Sequence, residues 1–285
     1  MIGFYNVIKP TGVSSGYVVN KIKYITKSKV GHLGTLDPLA TGVLPVAVGK
    51  ATKLFDYFLK KDKRYFALAK FGVLTTTLDS EGEVIKNIDK TVLLKDVQNI
   101  CKSFIGETLQ YPPLFSARKK DGVRGYEAGL NGIDLKLEPR KVQIYSLSAK
   151  KWHQNNVFAI NIHCSAGTYV RSIIRDIAEK LGTVATTVAI IRTSSGMFNL
   201  DNAVTIEEIE QNKEKCLLKI NELLNLKEIV LSKSEAKNLV NGKSIKTKLK
   251  DGEYLTTYLN EEFSLVNAKN GSMTNKIYFY DKEII

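Results

Sequence analysis

The chain has 285 residues, 44% of them hydrophobic and 25% charged, enough for a sizeable core in one large domain or two unequal ones. No run of 18 or more apolar residues occurs, and Met1-Ile2-Gly3-Phe4-Tyr5 leads into strand-like sequence without a signal-peptide pattern, so a cytoplasmic protein with no membrane partner is expected. Net charge is +13 and uneven: residues 1–75 hold 12 Lys or Arg against 3 Asp or Glu, residues 201–285 hold 13 against 14, and a field so placed suits a polyanionic partner.

In chain order, residues 3–8 read as a strand ending in the turn Lys9-Pro10-Thr11-Gly12. Ser14 or Ser15 caps a helix in which Val18, Val19, Ile22 and Ile25 recur at helical spacing, with Lys21 and Lys23 on other faces. Next comes Gly31-His32-Leu33-Gly34-Thr35-Leu36-Asp37-Pro38-Leu39-Ala40-Thr41-Gly42, the most informative stretch of the chain. Its glycines permit unusual backbone angles, and Pro38 pushes Asp37 out of the α region into an extended conformation. Residues 43–48 then form a short apolar run read as a buried strand. An aspartate shaped by such a loop and backed by a rigid strand is a candidate catalytic group, although Asp-Pro by itself more often marks a turn.

Residues 50–59 place Leu54, Phe55 and Phe58 at helical spacing, and residues 63–71 alternate as a strand. Residues 91–104 make an amphipathic helix with Leu94, Val97, Ile100 and Cys101 on its apolar stripe, after which Tyr111-Pro112-Pro113 interrupts regular structure. Strands are expected over residues 115–118, 142–147 and 157–164, a helix over 170–181, and a further β-branched run over 187–191. Strands and helices mix without a βαβ rhythm, which favours an α+β domain around a mixed, largely antiparallel sheet flanked by helices. Near residue 228 the charge balance changes and the pattern restarts with a capped helix over 231–242 and strand-like sequence beyond it. The expected division is residues 1–227 and a small β-rich domain of residues 228–285.

Cys101, Cys164 and Cys216 are widely spaced with no CxxC or HxxxH partner, so neither disulfide nor metal is expected, and His153 and His163 read as packed or surface residues. Gly49-Lys50-Ala51-Thr52 lacks the first glycine of a phosphate loop, Leu44 standing in its place.

Five separated blocks together resemble the TruB family of tRNA pseudouridine synthases: Lys9-Pro10, the 31–42 loop, Lys63-Arg64-Tyr65, Gly167-Thr168-Tyr169-Val170-Arg171, and Ile191-Arg192-Thr193-Ser194-Ser195-Gly196-Met197-Phe198. The resemblance spans roughly residues 3–200, and residues 231–285 are similar to a shortened PUA-type RNA-binding module. It implies the pseudouridine synthase fold and isomerisation of uridine to pseudouridine at position 55 in the T loop of tRNA. No cofactor, guide RNA or protein partner is implied, and a monomer is expected. Asp37 matches the essential carboxylate, acting on the ribose or the base, and Arg171 the partner that orients it. Tyr65 matches the tyrosine that stacks on the extruded uracil and assists proton removal from C5. His32 matches the residue that fills the space the base leaves, and Ile190 an apolar wall. Lys9, Lys63, Arg64 and Tyr169 match positions near the pocket or RNA backbone, while Lys21, Lys23, Lys27 and Lys29 are expected on the RNA path. The chain departs from the family at Gly129-Leu130, where relatives carry Ala-Arg, which puts one basic contact with the T stem in doubt.

Two other readings are of different classes. An RNA-folding factor would act on tRNA regardless of catalysis. A hydrolase with Asp37 as nucleophile would need metal ligands or a second catalytic carboxylate, and Asp62, the only other acid between residues 57 and 78, sits between Lys61 and Lys63.

Overall fold

Two sheets organise the protein, whose structure, a computed structural model, describes residues 1–116, 119–120, 123–124 and 137–279. Strand β1 (Gly3–Lys9) leads to α1 (Ser15–Thr26), which starts at Ser14: its hydroxyl accepts the Tyr17 N–H, one of the donors a helix start leaves free. Helix α1 buries Val18, Ile22 and Ile25 and ends at Lys27 in the left-handed region. Short β2 (Val30–His32) precedes the Asp37 loop, and β3 (Thr41–Val48) is buried at every residue after Thr41, as its apolar run requires. The expected helix over residues 50–59 is divided: a 3₁₀ turn (Gly49–Leu54) precedes α2 (Phe55–Leu59). Three residues per turn instead of 3.6 shifts the phase, so Leu54 and Phe58 are buried while Phe55 turns outward.

Strand β4 (Lys63–Phe71) is followed by the hairpin β5 (Val73–Thr75) and β6 (Val84–Asn87), then α3 (Leu94–Ser103) and β7 (Gly106–Gln110). Two short segments, β8 (Lys119–Lys120) and β9 (Val123–Arg124), pair with each other. Long strands β10 (Arg140–Lys151) and β11 (Val157–Cys164) precede α4 (Val170–Lys180), β12 (Ala185–Ser195) and β13 (Phe198–Asn199). The runs at 142–147 and 187–191 thus lie inside longer strands. Phe115 and Ser116 lie in a bend instead of a strand, because the Phe115 carbonyl turns to accept from Arg171, and the rest of that expected strand and the Gly129-Leu130 departure lie outside the described residues.

The main sheet has the order β1-β3-β12-β4-β11-β10-β7, with β2 added to β3 and β13 to β12. Its neighbours are antiparallel except β12 with β3, which run parallel where Thr41 and Gly42 meet Ile191 and Arg192. The α+β class and mixed, largely antiparallel sheet follow. Helices α1, α3 and α4 cover one face, packing Ile22, Val97 and Ile174 against Val46, Ala67 and Ile160.

Short helices α5 (Ile206–Gln211), α6 (Lys213–Cys216) and α7 (Ile220–Leu224) lead to a second sheet. Its strands β14 (Glu228–Val230), β15 (Ile245–Lys246), β16 (Gly252–Tyr258), β17 (Glu261–Lys269) and β18 (Ser272–Tyr278) run in the order β14-β16-β17-β18-β15. Helix α8 (Lys233–Val240) carries the capping box Ser232–Glu235. Leu255, Leu265 and Phe279 share one apolar cluster with Phe4, Leu54, Phe58 and Phe198, so the second sheet docks on the face of β1 and β3 opposite α1. No described helix is long and apolar enough to cross a membrane.

Candidate active site

Asp37 is positioned by a backbone pinned on both sides of it. Upstream, Arg192 donates to the carbonyls of Gly34 (3.0 Å) and Thr35 (3.3 Å), and downstream it reaches that of Val43 in β3 (2.7 Å). The Ser15 hydroxyl accepts the Leu36 N–H and donates to the Leu36 carbonyl, each at 2.9 Å. Downstream, the Lys9 ammonium and the Gly12 N–H both donate to the Pro38 carbonyl, at 3.1 and 2.9 Å, and the Thr11 hydroxyl donates to Leu39 at 2.8 Å. The loop closes into β3 at Gly42, where φ is +99° and an added Cβ would lie 2.4 Å from the Arg192 carbonyl oxygen, so only glycine fits. Cationic groups this deeply buried persist when their hydrogen bonds are satisfied, and here those bonds fix the loop.

Arg171, in the first turn of α4, grips Asp37 from behind. Its Nη2 lies 2.8 Å from Asp37 Oδ2 and its Nη1 3.3 Å from Asp79 Oδ2. The same guanidinium donates to the carbonyls of Thr77 (2.8 Å) and Phe115 (2.9 Å) and is only 4% exposed. Asp79 is oriented in turn: its Oδ1 accepts the Thr77 hydroxyl at 2.5 Å and the Glu81 N–H at 3.1 Å. The start of α4 is fixed by Gln110, whose side-chain amide accepts the Tyr169 N–H at 2.7 Å and donates to the Tyr169 carbonyl at 3.1 Å.

Within this frame the side chain of Asp37 keeps 34% of its surface exposed, whereas Asp79 keeps 4%. Burial raises the Asp37 pKa above the ordinary carboxylate value; Arg171 opposes the rise and Asp79 adds to it. Asp37 opens onto a cavity of about 380 Å³, a size typical of ligand clefts (roughly 300–1,000 Å³). Tyr65, Lys63, Tyr169, Ile190 and Arg192 also line it. Burial raises the pKa of the Tyr65 hydroxyl, and the positive charge of Arg192 opposes the rise.

Asp37 and Tyr65 therefore converge on one hollow, with Lys63, Tyr169 and Ile190 in its wall, while Arg171 stays buried behind Asp37 and is not part of the lining. The expectations for Lys9, Arg64 and His32 find a different geometry, and Lys63 lines the cavity with its ammonium turned to backbone carbonyls. Lys9 is fully buried beneath the loop, its ammonium held by the carbonyls of Pro10, Val13 and Pro38, so it braces the loop and has no reach to a phosphate. Lys63 donates to the carbonyls of Leu59 and Lys61, at 2.8 and 2.6 Å. Burial lowers both lysines to about 8. Arg64 is exposed on the sheet face away from the cavity, because alternation on β4 sends Lys63 and Tyr65 one way and Arg64 the other. His32 ends β2 outside the cavity lining, half-buried, with its pKa lowered by burial and by Arg192. Lys21, Lys23, Lys27 and Lys29 are exposed on and just after α1.

Sequence reasoning missed Asp79, Gln110 and Ser15, and gave Arg192 no role although it stands inside a family block. A second carboxylate does lie beside Asp37, contrary to expectation. At 3% exposure and bound by Arg171, Thr77 and Glu81, Asp79 is closed to substrate and supplies no open acid–base pair for a hydrolase. Asp62 instead pairs with His163 at 2.6 Å.

The fold matches a chain in the crystal structure of a Cbf5-Nop10-Gar1 complex, with a TM-score of 0.71 at 24% identity over 99% of this chain and 86% of that one. That likeness shows the fold: an α+β domain on a mixed sheet, with the Asp37 cleft set in it. A family model described as TruB family pseudouridylate synthase (N terminal domain) matches residues 21–170. The tRNA pseudouridine synthase B of Clostridium perfringens (strain 13 / Type A) is 42% identical over 246 residues, covering 85% of this chain and 84% of that protein. That of Clostridium tetani (strain Massachusetts / E88) is 38% identical over 272 residues, covering 92% and 94%. The chain belongs to the TruB family of pseudouridylate synthases and is an isomerase.

Proposed function

We propose that the protein converts uridine to pseudouridine at position 55, in the T loop of tRNA, as a cytoplasmic monomer without guide RNA or protein partner. The names of its relatives support tRNA as substrate, and the positive charge concentrated in residues 1–75 suits a polyanion. The observation that carries the reading is Asp37, whose carboxylate opens onto the cavity while Arg171 holds one of its oxygens at 2.8 Å.

The isomerisation breaks the bond from ribose C1′ to N1, turns the uracil, and joins C5 to C1′. The hydrogen on C5 is lost and N1 gains one, so atoms and electrons balance without a cofactor. Asp37 meets the nucleotide, at the ribose or at the base, with the oxygen that Arg171 leaves open. Lifting the base from its stack costs about a few kcal/mol, and the Tyr65 ring and the Ile190 side chain offer it new neighbours. Burial keeps the Tyr65 phenol protonated through neutral pH, so it serves as ring face and O–H, and proton removal from C5 by a phenolate is disfavoured. His32, kept neutral by burial, suits the space vacated in the RNA, and Tyr169 borders the cavity. The lysines on and after α1 suit backbone phosphates. We assign residues 1–227 to the catalytic domain and residues 228–285 to a PUA-like RNA-binding domain.

The test is incubation with an unmodified tRNA transcript, followed by carbodiimide labelling and primer extension. A stop at position 55, and nowhere else, is expected; no stop, or a stop in another arm, overturns the assignment.

A further inference from the structure

The cleft uses one face of the main sheet, and the described residues leave the other face of β4, β11 and β10 open. Alternation places Phe66 opposite to Tyr65, and Phe66 pairs with Trp152 at a centroid distance of 6.0 Å. A bulge in β10 between Ile144 and Ser146 swings Tyr145 onto the same face, where its ring lies 4.8 Å from His163. Tyr145 is 48% exposed and Trp152 36%. His163 sits opposite Arg64 and Asn161 opposite Phe66, so the β4 residues at the two ring pairs are two positions apart, about 7 Å, while Tyr145 and Trp152 are seven residues apart in the chain.

Cations lie between and beside the rings. Arg64, Lys70 and Lys150 are exposed on this face. Among the described residues the nearby acids Asp62 and Glu107 are already engaged, with His163 at 2.6 Å and Lys141 at 2.8 Å. A protein partner would find few free acids or hydrogen-bonding edges here and an apolar patch broken by positive charge. Exposed rings spaced along a sheet with unpaired cations among them are instead the arrangement on which single-stranded RNA stacks its bases and rests its phosphates.

We propose that this back face binds a single-stranded stretch of RNA, with bases on Tyr145 and Trp152 and phosphates on Arg64, Lys70 and Lys150. It is a contact separate from the cleft, and it rests on the reading of the protein as RNA-directed. Trp152 is the only tryptophan in the chain, so its emission reports this face directly. With an oligouridylate of about ten nucleotides as probe, emission is expected to quench saturably. The affinity should fall with salt at a log–log slope of about −2, from roughly −0.7 for each of three phosphates neutralised. Tyr145→Ala and Lys150→Ala, both at exposed positions, should each weaken binding by about tenfold.

The proposal is overturned if the oligonucleotide leaves Trp152 emission unchanged or if both variants bind as the parent does. It also falls if emission changes with protein concentration in the absence of RNA, which would mark the face as an interface between copies. The readout needs no turnover. Quenching without conversion of tRNA would count against the cleft reading alone, and conversion without quenching against the back-face site alone.

Discussion

Replacing Arg171 with lysine keeps the charge and removes the geometry. The guanidinium reaches Asp37, Asp79, Thr77 and Phe115 at 2.8, 3.3, 2.8 and 2.9 Å from two nitrogens. One ammonium on a flexible stem cannot reach all four. At least two acceptors then lose their donor in a buried setting, at about 1–3 kcal/mol each, so the unfolding free energy should drop by about 2–6 kcal/mol. Asp37 would lose its anchor, and a displacement of about 1 Å at a reacting group costs roughly a hundredfold in rate. The hydrogen bond from Arg171 helps hold Asp37 in its charged form, and a lysine that does not reach the carboxylate loses it, so the acid limb of the pH–rate profile should move to higher pH. Urea unfolding followed by Trp152 emission measures the first effect, and single-turnover tritium release from tRNA carrying 5-tritiated uridine, across pH, measures the others. An Arg171→Lys protein with parental stability, rate and acid limb would refute the clamp.

Gly42→Ala forces a left-handed backbone and a clash with the Arg192 carbonyl, so a loss of about 2–6 kcal/mol is expected in urea unfolding. Burial lowers Lys9 from 10.5 to about 8, so between those values the unfolded chain binds more protons than the folded one and stability rises with pH. Lys9→Met should flatten that rise, and Lys63, lowered to the same value, should account for a further part, as unfolding across the window will reveal. Gln110→Ala removes both bonds that fix the Tyr169 backbone, so it should cost about 1–3 kcal/mol and raise KM for tRNA by loosening the start of α4.

What could be read from the sequence was what local chemistry decides. Asp37 stood out because glycine and proline speak directly about the backbone beside them, and the strand behind it was visible as an unbroken apolar run. The partners of the loop are not legible, since a lysine that braces carbonyls looks the same in sequence as one that faces solvent: the family positions of Lys9 and Lys63 point to the pocket or the RNA backbone, and both ammonium groups are held by carbonyls inside the protein. Asp79 sits in Thr-Leu-Asp-Ser-Glu-Gly, and the pairing of β5 with β6 together with its bridge to Thr187 on β12 brings it to Arg171. Gln110 and Arg192 likewise act across 59 and 149 residues or more. Arg64 was within reach of sequence reasoning, because the alternation that puts Tyr65 toward the cleft must put its neighbour away from it. The order of strands in the sheet had no such local signal, being set by which apolar faces bury one another.

Asp37→Asn removes one charge while leaving shape and the Arg171 contact available through the amide oxygen. Single-turnover conversion of saturating, unmodified tRNA by this variant addresses the catalytic role of the carboxylate most directly. No pseudouridine should form, although the protein remains folded and binds the RNA; formation at the parental rate would contradict the role given to the aspartate.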